Sequence, residues 1–387
     1  MRILYLADIR FPMERANGIQ TAETAHALAR RGVEVELVVR RTDGRSGAEC
    51  LAFFGLAPHR NLRLRRVRTP FGRPSYLGAA LSLLLRSRGE WDVVYTRDLV
   101  LADLALRVGK APVVYEAHTV AAVFAEERAR LYVGEPRPSS RKLARLDSRE
   151  RRVCRKAAGV VTITEALENA LEERHRGIAA SRVVPDGCRV PRELPPLDGF
   201  HSPPRVYYIG QLYPWKGVDL LVESMTRVKG AELVVVGGLP PEADLARLKR
   251  LASTLTLNDR VRFRGFVPPP ELAAERASAD VFVIPLLDST TARLFTSPLK
   301  LFEAMAARRP IVASDLPSIR EVLAHEENAL LVRPGDGVAL AAAIERLLDD
   351  RALSERLASR AFEDVNAYAW DRRAEAIDDF LAGVVAT

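Results

Sequence analysis

Cysteine is scarce in this chain. Its three cysteines, Cys50, Cys154 and Cys188, are scattered and form no Cys-x-x-Cys pair. A disulfide framework and a cysteine zinc site are therefore not expected, and a reducing cytosol fits. No apolar run approaches the roughly 20 residues of a membrane span. The opening residues Met1 to Asp8 form a short apolar run stopped by an acid, unlike a signal peptide. No Asp-x-Asp pair occurs, so a carboxylate-held Mg²⁺ or Mn²⁺ is not supported. There is no G-x-G-x-x-G and no Walker A box; Lys216-Gly217 stands in the reverse order with no Ser or Thr after it.

What is present is an ordinary globular composition, 48% hydrophobic and 28% charged over 387 residues. That length suggests two domains, each able to bury a full core. The formal charge of +8 is unevenly placed. Residues 1–190 hold 34 basic against 22 acidic residues, and residues 191–387 hold 24 against 28. A basic first half suits an anionic partner, although high arginine usage alone gives the same excess.

Strand, loop, helix and strand alternate from the start. Ile3 to Ala7 reads as a buried strand, followed by a loop through Gly18, a helix over Ile19 to Arg31 and a strand over Val33 to Val39. This is the rhythm of a parallel α/β sheet. A lone glycine before a helix either lets backbone approach a phosphate or sugar, or simply turns the chain. The run Tyr76 to Leu85, flanked by Arg73, Arg86 and Arg88, reads as a core helix, with a membrane-interface helix as the alternative. Strands over Asp92–Tyr95 and Val113–Tyr115 follow. His118 then falls just past a strand's carboxyl end, where open α/β sheets place ligands. A Pro-rich stretch over residues 191–204, including Asp198-Gly199, reads as a linker. The α/β rhythm then restarts, with strands at Val206, Leu233, Val261 and Ala279 and helices at Val218 and over Pro241 to Leu255.

The richest stretch runs from Arg293 to Val322. Ser297-Pro298 reads as a helix start, with serine capping and proline at the first helical position. Leu299, Phe302 and Ala306 share one face, Pro310 ends the helix, and Ile311 to Ala313 is a buried strand. Free amides, a positive dipole end and Lys300 in the first turn are a recipe for holding a phosphate or diphosphate. Glu303, one turn on, can accept two hydroxyl hydrogen bonds, as from a ribose diol. Lys216 follows a strand and the glycine-started loop of Gly210, so it can face the same crevice. Two lysines and one helix end can neutralise a diphosphate without metal.

Taken together, these residues resemble glycosyltransferase family 4, retaining enzymes of the GT-B fold, over nearly the whole chain. The likeness rests on Asn17-Gly18, His118, Gly210 with Lys216-Gly217, and Gly265-Phe266-Val267. It rests most on Ser297-Pro298-Leu299-Lys300 through Glu303-Ala304-Met305-Ala306, with Pro310 to Ser314. The resemblance implies an α/β protein of two facing Rossmann-like domains with a cleft between them. Residues 1–190 would hold the acceptor, 191–204 the linker and 205–365 the nucleotide-sugar donor, and 366–387 would be a helix crossing back to the first domain. It implies a metal-independent hexosyltransferase that uses a nucleoside-diphosphate sugar, UDP- or GDP-linked, and no separate cofactor. His118, Lys216 and Lys300 would be the catalytic groups. Gly18, Gln211, Lys216, Phe266, Val267, Ser297, Leu299, Lys300 and Glu303 would line the substrate site, with Phe266 and Val267 at the base, Glu303 at the ribose and His118 near the transferred sugar.

Two positions depart from the family pattern. The first Glu of its Glu-seven-residues-Glu motif falls on Phe295, and the arginine usual after Gly210 is Gln211. Lys300 and Arg293 are the candidate replacements. The acceptor expected is a sugar, a lipid-linked glycan or a small phosphorylated molecule. Peripheral contact with the inner membrane face would come from the basic first domain, and no nucleic acid is expected. A nucleotide-sugar epimerase or a sugar phosphorylase on the same fold is the rival reading.

Overall fold

The computed structural model describes every residue except 87–88, 133, 198, 239–242 and 387. Arg88, Asp198 and Pro241, used in the readings above, lie outside the described residues. The chain divides into two compact units. One comprises Met1–Glu126, Arg137–Gly187 and Trp370–Thr387; the other comprises Glu127–Pro136 and Cys188–Ala369. The ten residues Glu127–Pro136 therefore side with the second unit, which a boundary at residue 190 misses.

The first unit holds a seven-stranded sheet. Its strands are β1 (Arg2–Phe11), β2 (Glu34–Arg41), β3 (Leu62–Val67), β4 (Val93–Thr96), β5 (Val113–Ala117), β6 (Gly159–Thr162) and β7 (Ser181–Val183). They lie in the order β3-β2-β1-β4-β5-β6-β7, and every pairing is parallel. Runs such as Ile3 to Ala7 and Val93 to Tyr95 are buried throughout, as strands covered by helices on both faces must be. The order reverses between β1 and β4, where Tyr5 sits opposite Tyr95 in register and their rings meet edge to face at 5.0 Å.

The helix Arg73–Arg86 buries Tyr76, Ala80 and Leu84, spaced four apart on one face, and Tyr76 donates its hydroxyl to the Val38 carbonyl at 2.6 Å. It is thus a one-faced helix laid on the sheet, the core alternative of the two readings. No described helix is long and apolar enough to cross a membrane.

The second unit repeats the plan with six strands, β8 (Arg205–Ile209), β9 (Glu232–Val236), β10 (Val261–Gly265), β11 (Val281–Ile284), β12 (Ile311–Ser314) and β13 (Leu330–Val332). Their order is β10-β9-β8-β11-β12-β13, again all parallel. Alternate strand residues feed two apolar layers. Val206, Tyr208, Val281 and Val283 face one, and Tyr207, Ile209, Phe282 and Ile284 face the other. The order reverses between β8 and β11, which opens a crevice at the carboxyl ends of those strands. The loop Gly210–Gly217 leaves β8 there, and the segment from Pro285 to the helix Leu299–Ala306 leaves β11.

The last helix, Trp370–Ala386, follows a 3-10 turn at Val365–Tyr368 and packs in the first unit against the helix Ala16–Arg30. Ion pairs Arg30–Asp371 and Arg31–Asp378 tie the two helices at their rims.

Candidate functional site

In the second unit the helix Leu299–Ala306 begins one residue later than its sequence suggests. Pro298 is the capping residue, with φ −80° and ψ 114°, and makes no side-chain capping bond. The Leu301 amide bonds the Pro298 carbonyl at 2.8 Å, which closes the first turn on proline and leaves Ser297 outside it. Ser297 is therefore not the cap, and Pro298 is not the first helical residue. The helix also stops at Ala306 rather than at Pro310. Arg308 turns the chain with φ +51°, and the Arg308 and Arg309 guanidiniums hold the Pro195 and Pro196 carbonyls.

Lys300, in the first turn, folds back over the ring of Tyr208 at 4.1 Å. Its Nζ is buried and has no hydrogen-bond partner among the described residues. Gly210 lies beside it: a Cβ there would stand 3.7 Å from that Nζ, an ordinary contact, and 3.3 Å from the Tyr208 hydroxyl oxygen. Lys216 ends a 3-10 turn, Pro214–Lys216, and sits over the Trp215 ring at 3.7 Å. Gly217 completes the loop with φ +71°, and a Cβ there would lie 1.8 Å from the Pro285 carbonyl oxygen. Only glycine lets the β8 loop pass that close to the end of β11.

Burial pushes the Lys216 ammonium down to about 7. Burial also pushes Lys300 well below the usual lysine range, and the charge of Lys216 adds to the shift. The two ammoniums thus feel one another, in one unit and at one crevice, with no carboxylate contributing to either shift. A polyanion is the natural missing partner for such a pair.

Glu303, on the same helix as Lys300, is half-buried and lies 3.3 Å from Arg276. Burial raises its carboxyl, and Arg276 and Arg189 pull it back only in part. Phe266 and Val267 follow β10 and are half-buried, with Val267 resting on the apolar layer beneath the sheet. Gln211 is half-buried and takes the Tyr208 hydroxyl on its carbonyl at 2.5 Å. Leu299 opens the helix and is half-buried. Phe295 is buried and offers the site no polar group. Arg293 is exposed and forked onto Asp288, so its charge is already matched at the surface.

One contact was not foreseen. Glu127 caps the short helix Thr290–Leu294, accepting from the Thr290 and Thr291 amides at 2.6 and 2.7 Å and from the Thr291 hydroxyl. Tyr132 of the same segment meets Tyr213, in the Lys216 loop, at 4.8 Å between ring centres. Segment 127–136 thus supports both loops that carry the lysines.

In the first unit His118 comes directly after β5, half-buried, with Nε2 2.7 Å from the Glu116 carboxylate. Gln20 and Arg373 also reach that carboxylate, each at 2.6 Å, and so does Tyr95. Gly18 lies inside the first turn of the helix Ala16–Arg30, not in the loop before it, because β1 runs on to Phe11 and the Gly18 amide already bonds the Arg15 carbonyl. A Cβ on Gly18 would stand 2.4 Å from Met13 Cγ, so the glycine's open side is filled by Met13.

Two doubly wound parallel sheets, each reversing its strand order at a switch point, are the architecture of the GT-B fold. Residues 18–190 match the model described as Glycosyltransferase Family 4, and residues 203–350 match Glycosyl transferases group 1. The chain is therefore a glycosyltransferase built from these two domains. It is 24% identical over 395 residues to a D-inositol 3-phosphate glycosyltransferase of Corynebacterium glutamicum, covering 94% of this chain and 90% of that protein. It is 33% identical over 221 residues to a GDP-mannose-dependent alpha-(1-6)-phosphatidylinositol monomannoside mannosyltransferase of Mycobacterium tuberculosis, covering 55% of this chain and 56% of that one. Among solved structures it resembles sucrose-phosphate synthase from Thermosynechococcus elongatus, with a TM-score of 0.79, 22% identity and 100% and 99% of the two chains covered. It also resembles Anabaena HepE in complex with UDP and glucose, with a TM-score of 0.75, 21% identity and 99% and 100% covered. At these identities the structural likeness is one of fold.

Proposed function

We propose that this glycosyltransferase works with retention and without a metal, moving a hexose from a UDP- or GDP-sugar to a hydroxyl of a sugar, a lipid-linked glycan or a small phosphorylated molecule. One observation carries the reading. Among the described residues Lys300 Nζ is buried without a hydrogen-bond partner, next to a second lysine, in the first turn of a helix that starts from Pro298. That arrangement is costly unless an anion arrives to use it.

As the sugar departs, negative charge grows on the leaving diphosphate. Lys216, Lys300 and the leading amides of the helix Leu299–Ala306 stabilise it, which is the work a metal ion does elsewhere. Glu303 receives the ribose hydroxyls, and the backbone at Phe266 and Val267 meets the base. The acceptor attacks from the leaving-group side, so no carboxylate nucleophile is needed, and buried Phe295 supplies none. His118 stands near the transferred sugar. Support for a phosphorylated or lipid-linked acceptor comes from the relatives' names and from the basic first half of the chain.

A thermal-shift panel of UDP- and GDP-sugars tests the donor, since ligand binding raises apparent stability by mass action. One base should raise the melting temperature, and Lys300→Ala should abolish the rise. Turnover should survive a chelator, and the product should keep the donor's anomeric configuration. The reading fails if no nucleotide sugar shifts the melting curve, or if the Lys216→Ala protein turns over at the wild-type rate.

A further inference from the structure

An ionised carboxylate survives in an apolar interior only when cations and donors surround it. Glu116, on β5, is fully buried and takes four donors: Gln20 Nε2, the Tyr95 hydroxyl, His118 Nε2 and an Arg373 N–H. Arg373 belongs to the last helix and is 3% exposed. Its other N–H groups reach the Val184 and Pro185 carbonyls at 2.6 and 2.7 Å and the Thr24 hydroxyl at 3.1 Å. Arg97 in turn holds Gln20 by its carbonyl oxygen at 2.7 Å, which aims the Gln20 amide at Glu116. Burial by itself would raise the Glu116 carboxyl; Arg373, His118 and Arg97 outweigh it and hold it well below the usual carboxylate range.

Within this knot His118 is the member at the strand's carboxyl end, with 16% of its side chain exposed. An ionised Glu116 can only accept, so Nε2 must carry the proton. Nδ1 takes no hydrogen bond from the described residues. The groups facing the ring are Glu116 on β5, Arg97 after β4 and Asp186 after β7. Burial and Arg97 push the imidazole down, and Glu116 and Asp186 push it up with less effect. The ring is therefore neutral at working pH.

We infer that Glu116 and Arg373 are positioning residues that lock His118 as its Nε2–H tautomer, so that the Nδ1 lone pair is a fixed acceptor for a hydroxyl of the sugar in transfer. The inference rests on the placement of that sugar beside His118 proposed above. Its chemistry is specific. A fixed neutral acceptor receives an uncharged hydroxyl, whereas a free imidazole could tautomerise or protonate and lose that discrimination. No proton is transferred; the imidazole orients the substrate.

The test uses the full chain, labelled with ¹⁵N-histidine. His118→Gln identifies the His118 signals. In the wild type, Nδ1 should show as an unprotonated nitrogen and Nε2 as an N–H from pH 6 to 8. Glu116→Gln should mix the tautomers and lower kcat by about 10–100-fold, the scale seen when a histidine loses its orienting partner. That variant leaves Arg373 with only the more distant Asp186 carboxylate, 3.8 Å away, so its melting temperature should also fall. The double variant Glu116→Gln/Arg373→Met removes both charges of the Glu116–Arg373 pair. It should recover the melting temperature while kcat stays low and the tautomers stay mixed. Recovery of kcat together with the melting temperature would mean the pair only props the fold, and overturns the inference. A single Nε2–H tautomer persisting in Glu116→Gln also overturns it, as does a mixed tautomer with unchanged kcat. A wild-type protein that shows the lock but turns over no nucleotide sugar supports the lock and overturns the functional reading instead.

Discussion

Raising the pH from 7 to 8.5 should weaken nucleoside-diphosphate binding by about 15-fold. The cause lies in Lys216, whose ammonium burial pushes down to about 7. In the free protein half of Lys216 is then protonated at pH 7 and about 3% at pH 8.5. A bound diphosphate restores the charged form, because an opposite charge at contact outweighs the desolvation that depressed it. Binding above pH 7 must therefore take up a proton, and affinity falls with the protonated fraction. The ratio of the two fractions is about 15, or roughly 1.6 kcal/mol. The ligand's own charge is nearly constant in this window, since a terminal phosphate with its second pKa near 6 is already about 90% ionised at pH 7. Lys300, pushed down by burial and by Lys216, steepens the fall if it also recharges.

The same lysine acts with the opposite sign on the free protein. An unfolded lysine stays protonated to about pH 10.4. Between pH 7 and 10 the unfolded state therefore binds more protons than the folded one, and free-protein stability gains from this group as pH rises. Below pH 7 both states are charged and the burial penalty is felt in full. Calorimetry of UDP or GDP binding at pH 8, in two buffers of different ionisation enthalpy, reads the proton uptake directly. About one proton should enter per nucleotide. Lys216→Arg, a cation that does not titrate in this range, should bind with a flatter pH profile. Wild-type affinity that is level from pH 7 to 8.5 with no proton uptake would refute the argument. So would a Lys216→Met protein that binds as well as wild type.

Glu303→Gln should weaken nucleotide binding by about 10–100-fold, the loss expected when hydrogen bonds to a charged acceptor are weakened. Because burial raises the Glu303 carboxyl, wild-type affinity should also fall on the acid side while that of Glu303→Gln does not; titration calorimetry at two acidic pH values checks both. Gly217→Ala places a Cβ 1.8 Å from the Pro285 carbonyl oxygen at φ +71°, and should cost about 3 kcal/mol or more in unfolding free energy, read by denaturant titration. Glu127→Gln should cost about 1–3 kcal/mol and speed hydrogen exchange at the Thr290 and Thr291 amides; unchanged exchange would remove Glu127 as their cap.

How much of this was legible in the sequence depended on how local the cause was. Strands such as Val93 to Thr96 and Val281 to Ile284 show as short apolar runs because both faces of a parallel sheet are covered. The helix Leu299–Ala306 shows because a Ser-Pro start, Lys300 and Glu303 lie close together in the sequence. Its exact beginning does not, since serine before proline signals a cap equally well whether the first turn closes on Ser297 or on Pro298. Gly18 misleads for a similar reason. Sequence shows that glycine is needed, but only the fold shows that Met13 fills the space beside it.

The residues that escaped are those whose meaning is set at long range. Glu116 carried a signal, an acid in an otherwise apolar strand, and such a residue must find cations or lose its charge. What the sequence cannot supply is the address of the cation: Arg373 lies 257 positions away, on a helix whose mixed charge looks like a solvated face. Glu127 is a similar case, an ordinary helical acid until the fold places the amides of Thr290 and Thr291 against it, more than 160 residues on. In both cases a buried or half-buried polar group is satisfied from a distant part of the chain, and in both it backs a segment that presents a functional side chain. The lysines proposed to bind the diphosphate are readable because, among the described residues, they have no hydrogen-bond partner whose place must be known. The groups that aim them, and that aim His118, are fully partnered inside the protein, and only the folded chain brings those partners together.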